Sequence, residues 1–388
     1  MKILLVHNYL SDRGGEDRCF DLLVNLLQKK GHTTYKFIKD SKVIETGFTT
    51  RVKTAIGMFN SKLIKKELSD VIYEFKPKIV HISNIFPLIS QAVYTLCRRS
   101  NLPIVQSIHN YRYLCPKATL YRNGSTCELC VKKNFFYPAI KYGCYHNSHL
   151  ASLIFSTSYV YHQTKNLLNL VDKFIFPAMF ARNYYVKYLN IPINKTKVIP
   201  NFVEDITCDN KSTKKGNYFL YVGRLSEEKG ILNLLEIFSR LPELRLIIIG
   251  DGSLKEKVKN YTKFKNISYL GYLSREKLYS YMKRALFTII PSAPLYDFGP
   301  LVLMESYANG TPVIAPRSGV FVERIIDGKT GIFYDSNDFE DLGSKLLYYQ
   351  KNKQELLKMG FFARKEYENK YLSDIYYQAL IKTYKEVL

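Results

Sequence analysis

Two carboxylates flank an apolar run in the segment YDFGPLVLMESYANGTPVIAP, residues 296–316. Asp297 and Glu305 are eight residues apart, with Gly299 and Pro300 between them. Asp297 could cap a helix that begins in this turn, and Pro300 suits a first helical turn. The backbone amides of that turn could bind an anion, and Glu305 could accept two hydrogen bonds from a ribose diol. The commoner alternative for this spacing is a helix cap followed by an exposed helix glutamate.

Two cations lie in a second segment, YVGRLSEEKG at residues 221–230. Arg224 and Lys229 fall on a loop that leaves a strand through Gly223 and opens a helix near Glu227. A guanidinium matches two phosphate oxygens at once, and an ammonium adds a point charge. Together they suit a diphosphate. The alternative is a solvated pair of surface cations.

Strands and helices must alternate to position these loops. Short β-branched apolar segments are separated by helical patterns, the first of which stops at Gly31. This rhythm is typical of parallel sheets in an α/β fold. The strand candidates are residues 2–9, 78–83, 103–110, 173–178, 218–225, 245–252, 267–273, 287–292, 312–316 and 331–335.

A polar, charged segment at residues 200–217 interrupts the rhythm and is interpreted as a linker. We therefore predict two doubly wound, Rossmann-like domains at residues 1–205 and 206–365, with a C-terminal helix at 366–388 that packs back on the first domain. Ligands of such sheets bind beyond the carboxyl ends of the strands, so the natural site is the cleft between the domains.

Charge and hydropathy restrict the class of protein. The 388 residues carry a formal net charge of +23 and contain no run of 18 apolar residues, which excludes a membrane span. The charge favours an anionic partner such as a phosphorylated substrate or acidic lipid, although a coding bias toward lysine explains it equally well. No RNA-binding signature is present, so nucleic acid is not an expected partner. The N-terminal apolar run is too short for a signal peptide, which predicts a cytoplasmic protein.

One helical pattern, at residues 50–68, combines basic and apolar residues. It could lie on an anionic membrane surface, or it could be an ordinary amphipathic helix packed on the sheet. The basic residues are Arg51, Lys53, Lys62, Lys65 and Lys66, and Val52, Ile56, Phe59 and Leu63 recur at helical spacing beside them.

Four cysteines lie in a loop-rich segment, predicted as a loop at 112–146. Cys127 and Cys130 form one CxxC pair, and Cys115 and Cys144 stand at the two ends. Four thiolates could form a closed structural zinc site. Reduced thiols are the second option and disulfides the third.

Taken together, the motifs resemble the retaining glycosyltransferase family 4, which has the GT-B architecture. They are YVGRLSEEKG, GDGSL, YDFGPLVLMESYANGTPVIAP and DGKTGIFYD in the second half, and RGGEDR, SIHNYRYLCP and KVIPNFVE in the first. The resemblance covers nearly the whole chain in the family's order. One position departs from the family's Glu-x₇-Glu pattern, because Asp297 stands where the first glutamate is expected.

The resemblance assigns roles to residues of this chain. It implies that Arg224 and Lys229 bind the donor diphosphate, that Pro300 and Leu301 line the phosphate turn, and that Glu305 binds the ribose. It also implies that Gly15 lets the backbone approach the phosphates and that His109 and Asp297 lie near the donor sugar. No cofactor is expected at the active site.

The implied function is transfer of a hexosyl residue, with retention, from a nucleotide diphosphate sugar. A UDP-sugar is the first expectation and a GDP-sugar the second. The acceptor would be a surface polysaccharide or a lipid-linked oligosaccharide at the inner face of the membrane. The alternatives are an isomerase similar to nucleotide-sugar 2-epimerases and a non-catalytic nucleotide-binding protein.

Overall fold

The computed structural model describes residues 1–133, 136–205 and 215–388. The chain forms two compact units. The first contains Met1–Leu120, Cys127–Pro200 and Tyr376–Leu388, and the second contains Tyr121–Thr126 and Asn201–Ile375. The predicted domain boundaries stood at 205/206 and 365/366. The middle of the predicted linker, residues 206–214, lies outside the described residues.

The first unit is built on a parallel sheet with the order β2-β1-β3-β4-β7-β8, and β5 pairs with β6 in a separate antiparallel hairpin. The strands up to residue 200 are β1 (Lys2–Tyr9), β2 (Thr33–Asp40), β3 (Ile79–Ile82), β4 (Ile104–Ser107), β5 (Tyr121–Arg122), β6 (Ser125–Thr126), β7 (Lys173–Phe176) and β8 (Thr196–Val198). The helices are α1 (Gly15–Lys29), α2 (Phe48–Asn60), α3 (Lys62–Phe75), α4 (Ala92–Arg99), α5 (Leu129–Lys133), α6 (Tyr137–Lys141), α7 (His149–Thr164) and α8 (Met179–Leu189).

The second unit has a parallel sheet with the order β11-β10-β9-β12-β13-β14. Its strands are β9 (Phe219–Val222), β10 (Leu246–Ile249), β11 (Ile267–Tyr269), β12 (Thr288–Ile289), β13 (Val313–Pro316) and β14 (Gly331–Tyr334). The remaining helices are α9 (Ile231–Arg240), α10 (Lys255–Tyr261), α11 (Arg275–Arg284), α12 (Leu301–Ala308), α13 (Phe321–Arg324), α14 (Phe339–Lys351), α15 (Lys353–Lys370) and α16 (Ser373–Lys385).

Both faces of the second sheet are buried, because side chains alternate between two cores. Phe219 and Tyr221 of β9 pack in one core with alternate residues of β10. Leu220 packs in the other, together with Ile247 and Ile249 of β10. Strands buried on both sides carry near-continuous apolar runs. The prediction of two doubly wound α/β domains is therefore confirmed.

Two strands of the first sheet were not predicted, and both lie at its edges. Strand β2 has a mixed sequence, TTYKFIKD, with only Phe37 buried. Strand β8 is three residues long and buries one of them. An edge strand has fewer neighbours to cover it, so its sequence lacks the apolar run that identified the central strands.

Two predicted helices are each divided in the structure. The pattern at 50–68 is interrupted at Ser61, which ends α2 and caps α3, with its Oγ accepting from the Ile64 amide at 3.2 Å. The single C-terminal helix predicted at 366–388 is likewise divided. Helix α15 ends at Lys370 and α16 begins at Ser373.

Buried polar contacts tie helix α16 to the first sheet. The Tyr384 hydroxyl and His81 Nδ1 are 2.6 Å apart, and His81 Nε2 and Ser107 Oγ are 2.8 Å apart. Burial lowers the pKa of His81 to about 3, so the ring is neutral at physiological pH. Among the described residues, no helix has the length and apolar character needed to cross a membrane.

Candidate active site

The second sheet reverses its strand order between β9 and β12, which are hydrogen-bonded neighbours. In open α/β sheets, ligands bind at this switch point, beyond the carboxyl ends of the strands. The two loops that leave the sheet there are residues 223–230 after β9 and 290–300 after β12. They contain Arg224, Lys229, Asp297 and Pro300, four of the predicted site residues.

Backbone contacts hold these two loops against each other. The Ala293 amide donates to the Glu228 carbonyl at 2.8 Å. Gly230 has a φ of 70°, and a Cβ there would lie 1.9 Å from the Pro291 carbonyl oxygen. Only glycine fits so close an approach in this backbone conformation. These contacts fix the backbone from which the side chains of the two loops project.

Lys229 and Asp297 form a buried ion pair across the loops. Lys229 Nζ donates to Asp297 Oδ1 at 2.8 Å, and the two side chains are 17% and 8% exposed. Burial alone would lower the pKa of Lys229, but the Asp297 carboxylate and Tyr296 hold it above its ordinary value. Lys229 is therefore charged. Asp297 Oδ2 is buried and has no hydrogen-bond partner among the described residues.

Tyr296 connects the two cations of the predicted diphosphate site. The Arg224 guanidinium donates through Nη2 to the Tyr296 hydroxyl at 3.0 Å. The Lys229 ammonium lies over the Tyr296 ring, 4.7 Å from its centroid. The sequence analysis did not single out Tyr296. Its position directly before Asp297 was the available signal.

The turn before helix α12 differs from the prediction. Asp297 does not cap the helix, and Pro300 occupies the N-cap position with no side-chain cap. Asp297 is instead drawn to Lys229, because a buried carboxylate gains more from a cation than from a backbone amide. Leu301 is the first helical residue. Gly310 has a φ of 62° and follows the end of the helix.

Glu305 is buried in helix α12, with 3% of its surface exposed. The alternative of an exposed helix glutamate is therefore wrong. The Tyr279 hydroxyl on helix α11 donates to Glu305 Oε1 at 3.1 Å. A carboxylate oriented in this way keeps capacity for further hydrogen bonds, since each oxygen accepts more than one.

In the first unit, the strand order reverses between β1 and β3. Asp17 fixes the loop that leaves β1 there. Its Oδ2 accepts from the Gly14 amide at 3.0 Å, and its Oδ1 lies 2.9 Å from His7 Nε2. Both side chains are buried. The RGGEDR turn is thus held by a polar pair inside its own unit.

Gly15 and His109 belong to the first unit. A Cβ built on Gly15 would have no heavy atom within 4 Å, so the protein itself does not require glycine there. His109 is half-buried and follows β4. Burial, with a smaller contribution from His7, lowers the pKa of His109 to about 4. The ring is neutral at physiological pH and can donate or accept a single hydrogen bond at each nitrogen.

Glu16 is a second residue that the sequence analysis did not single out. Asn110, next to His109 in the chain, donates through Nδ2 to Glu16 Oε2 at 2.7 Å. Burial raises the pKa of Glu16 to about 7, and the neighbouring Asp17 adds to the shift. The Asn110 hydrogen bond and Arg112 oppose it. The position of Glu16 beside Gly15 in RGGEDR was the signal that could have identified it.

The four cysteines of the predicted zinc site all lie in the first unit. Cys115, Cys127 and Cys130 are thiols outside any disulfide. Burial raises the pKa of Cys130 to about 12, and the thiols of Cys115, Cys144 and Cys127 add to the shift. Within the described part of the chain, no three His, Cys, Asp or Glu side chains are close enough to hold a metal ion. The zinc site stays a prediction.

Two family profiles match adjacent parts of the chain. The profile described as Glycosyltransferase Family 4 matches residues 14–205, and that described as Glycosyl transferases group 1 matches residues 203–366. Between them they cover residues 14–366, which include every predicted site residue.

Individual relatives agree with the profiles. An uncharacterized glycosyltransferase of Methanocaldococcus jannaschii is 30% identical over 219 residues, which are 56% of this chain and 60% of that protein. The chain thus spans less than two thirds of that relative. The alpha-monoglucosyldiacylglycerol synthase of Acholeplasma laidlawii is 24% identical over 356 residues, 85% of this chain and 84% of that protein.

A solved structure shows the same fold. The crystal structure of Anabaena HepE in complex with UDP superposes with a TM-score of 0.68, at 14% identity, with all of both chains covered. The fold and the two profiles agree with one another. The chain belongs to the GT-B glycosyltransferases.

Proposed function

We propose that this protein transfers a hexosyl residue from a nucleotide diphosphate sugar to an acceptor hydroxyl, with retention of configuration. A UDP-sugar is the favoured donor, since Anabaena HepE was crystallised with UDP. The observation that carries the proposal is the convergence of Arg224 and Lys229 on Tyr296 at the switch point of the second sheet. Two cations fixed at this place match the two phosphates of such a donor.

The remaining groups of the second unit suit the rest of the donor. Buried Glu305 would accept hydrogen bonds from the ribose hydroxyls. Helix α12 would direct its first amides, beginning with Leu301, at a phosphate. Asp297 Oδ2, which has no partner among the described residues, would accept a hydrogen bond from the donor sugar. As the family resemblance implies, Gly15 would let the backbone approach the phosphates and the acceptor, and His109 would lie near the donor sugar and the reacting bond.

Retention follows if the acceptor attacks the face of the sugar from which the diphosphate leaves. The bond between C1 and the phosphate oxygen breaks, the acceptor oxygen bonds to C1, and the leaving phosphate takes the acceptor's proton. Arg224 and Lys229 would stabilise the charge that develops on the diphosphate. No pair of carboxylates of the glycosidase type is needed.

The acceptor is proposed to be a lipid-linked saccharide or a growing surface polysaccharide at the inner face of the membrane. The name of the Acholeplasma relative describes the synthesis of a glycolipid. The net charge of +23 would favour an approach to anionic lipid.

The structure adds a surface that fits such an approach. Val52 and Ile56 on helix α2 and Leu63 on α3 are 41%, 65% and 65% exposed. These helices bury other residues, among them Met58 and Ile64. Val52, Ile56 and Leu63 therefore lie outside the buried faces of these helices. Exposed apolar side chains among lysines are typical of helices that lie on anionic membranes.

Donor turnover can be measured with a panel of nucleotide sugars, as the release of free nucleoside diphosphate. Arg224→Ala should lower turnover by about two to three orders of magnitude, because a charge-assisted contact to the leaving group is lost. Arg224 is exposed, so the melting temperature should not change. Lys229→Ala should lower both the turnover and the melting temperature, since it leaves Asp297 buried without a cation.

Arg245→Ala is the matched control, because Arg245 is an exposed arginine just before β10, at the opposite end of the sheet. It should leave turnover unchanged. Release of an epimerised nucleotide sugar, in place of hydrolysis or transfer, would support the isomerase alternative. Binding of nucleotide without turnover of any donor, with and without acceptor lipid, would support the non-catalytic one.

Substitutions of the two carboxylates should have different effects on binding and on rate. Glu305→Gln should weaken UDP binding, because a ribose contact is made in the ground state and the transition state alike. Asp297→Asn should keep UDP binding and lower the rate with the sugar donor. Calorimetry with UDP and turnover with the donor measure the two quantities separately. An equal loss of UDP affinity in both variants would contradict this division of roles.

Zinc binding by the cysteine loop is also proposed. It rests on the CxxC spacing of Cys127 and Cys130 and on the nearness of the other three thiols to Cys130. Metal analysis should find about one zinc per chain. Cys130→Ser should lose the metal and lower the melting temperature, whereas Cys19→Ser, on helix α1, should do neither. Metal-free protein with titratable thiols and unchanged melting would remove the zinc site.

Membrane binding is tested by co-sedimentation with vesicles. Binding should require anionic lipid and weaken at high salt, because salt screens the charge. Reversal of Lys62, Lys65 and Lys66 to Glu should abolish it without affecting donor hydrolysis. The same reversal at Lys257, Lys263 and Lys265 in the second unit makes an equal change in net charge and should have a smaller effect. Equal binding to neutral vesicles would contradict the electrostatic explanation.

A further inference from the structure

Tyr296 lies between the two cations of the second unit and touches both. Its hydroxyl accepts from Arg224 Nη2 at 3.0 Å, and its ring faces Lys229 Nζ at 4.7 Å from the centroid. An aromatic ring attracts a cation over its face within about 6 Å. A single side chain thus fixes a guanidinium at its tip and an ammonium over its ring.

The backbone holds Tyr296 firmly in this place. The Tyr296 amide donates to the Ala293 carbonyl at 3.2 Å, and the Ala293 amide donates to Glu228 at 2.8 Å. Leu295, the residue before it, has a left-handed φ of 69°. A non-glycine residue in this region is uncommon and often marks a functional turn. On the other side, Asp297 is anchored by its ion pair with Lys229.

The hydroxyl of Tyr296 can donate as well as accept. Here it accepts from Arg224, so its own hydrogen can be directed at a ligand. Tyr296 is partly exposed. Its two cationic neighbours, Arg224 and Lys229, favour an anionic ligand at this place.

We propose that Tyr296 is a diphosphate-binding residue of this enzyme, which donates its hydroxyl hydrogen to a diphosphate oxygen and aligns Arg224 and Lys229 on the same group. This inference rests on the proposed function, and it adds a neutral donor to the two cations. A neutral donor between two cations lets all three groups approach one anion with less mutual repulsion than a third cation would cause.

The test measures the affinity of purified protein for UDP and for UMP by calorimetry, together with donor turnover. Tyr296→Phe keeps the ring under Lys229 and removes only the hydroxyl. It should weaken UDP binding about tenfold, as expected for one hydrogen bond to a charged group, and leave UMP binding within about twofold. Turnover should fall by at least the same factor. Tyr296→Leu also removes the ring and should lower UDP affinity further.

Tyr348→Phe is the matched control. Tyr348 is an exposed tyrosine of helix α14 in the same unit, and its hydroxyl also bonds to a charged group, Glu355 Oε1, at 2.9 Å. This variant should bind UDP like the wild type. Wild-type UDP affinity and turnover in Tyr296→Phe would overturn the inference and leave the proposed function standing. Loss of UMP together with UDP and a lower melting temperature would also overturn it, by showing that the phenol supports the fold. Failure of the wild type to bind any nucleoside diphosphate would instead contradict the proposed function.

Discussion

The buried ion pair between Lys229 and Asp297 is the constraint on which the candidate donor site depends. It joins the loop after β9 to the loop after β12 at the switch point of the second sheet. Removing either charge would leave the other buried alone, which typically costs about 3–5 kcal/mol. The close approach of Gly230 to Pro291 and the hydrogen bond from Ala293 to Glu228 make the same connection through the backbone. The two loops therefore keep their conformation while they carry charged side chains.

This ion pair also sets the charge that the site offers to a ligand. Asp297 neutralises much of the Lys229 charge before any substrate is present. Lys229 is held protonated by the same carboxylate that partly masks it. As negative charge grows on a departing diphosphate, the diphosphate could pair with the Lys229 ammonium, which already lies in a fixed position. Preorganised charge of this kind stabilises a transition state with little further rearrangement.

Much of the fold could be predicted from sequence, because central parallel strands are buried on both faces and therefore carry unbroken apolar runs. The edge strands β2 and β8 lack such runs and were missed. The break between helices α2 and α3 had a readable signal, since Ser61 is a favourable cap residue that the helical periodicity concealed.

The identities of the site residues were readable as motifs, but their partners were not. Asp297 was expected to cap α12 because capping is a local rule. In the structure its partner is Lys229, 68 residues away in the chain. Tyr296 escaped notice for the same reason, since its importance comes from two residues on another loop. Sequence spacing describes contacts within one helix or turn, whereas a pairing between loops depends on the strand order that brings them together.

At the switch point of the first unit, burial reduces the charge of two side chains. It lowers the pKa of His109 to about 4 and raises that of Glu16 to about 7. The histidine is therefore neutral at physiological pH, and the glutamate carries only part of its usual charge. Sugar hydroxyls both donate and accept, and a neutral imidazole, with one donor and one acceptor nitrogen, can pair with them in either direction. Under the proposed function, fixed cations of the second unit would bind the diphosphate, whereas His109 of the first unit would offer a neutral hydrogen-bonding ring.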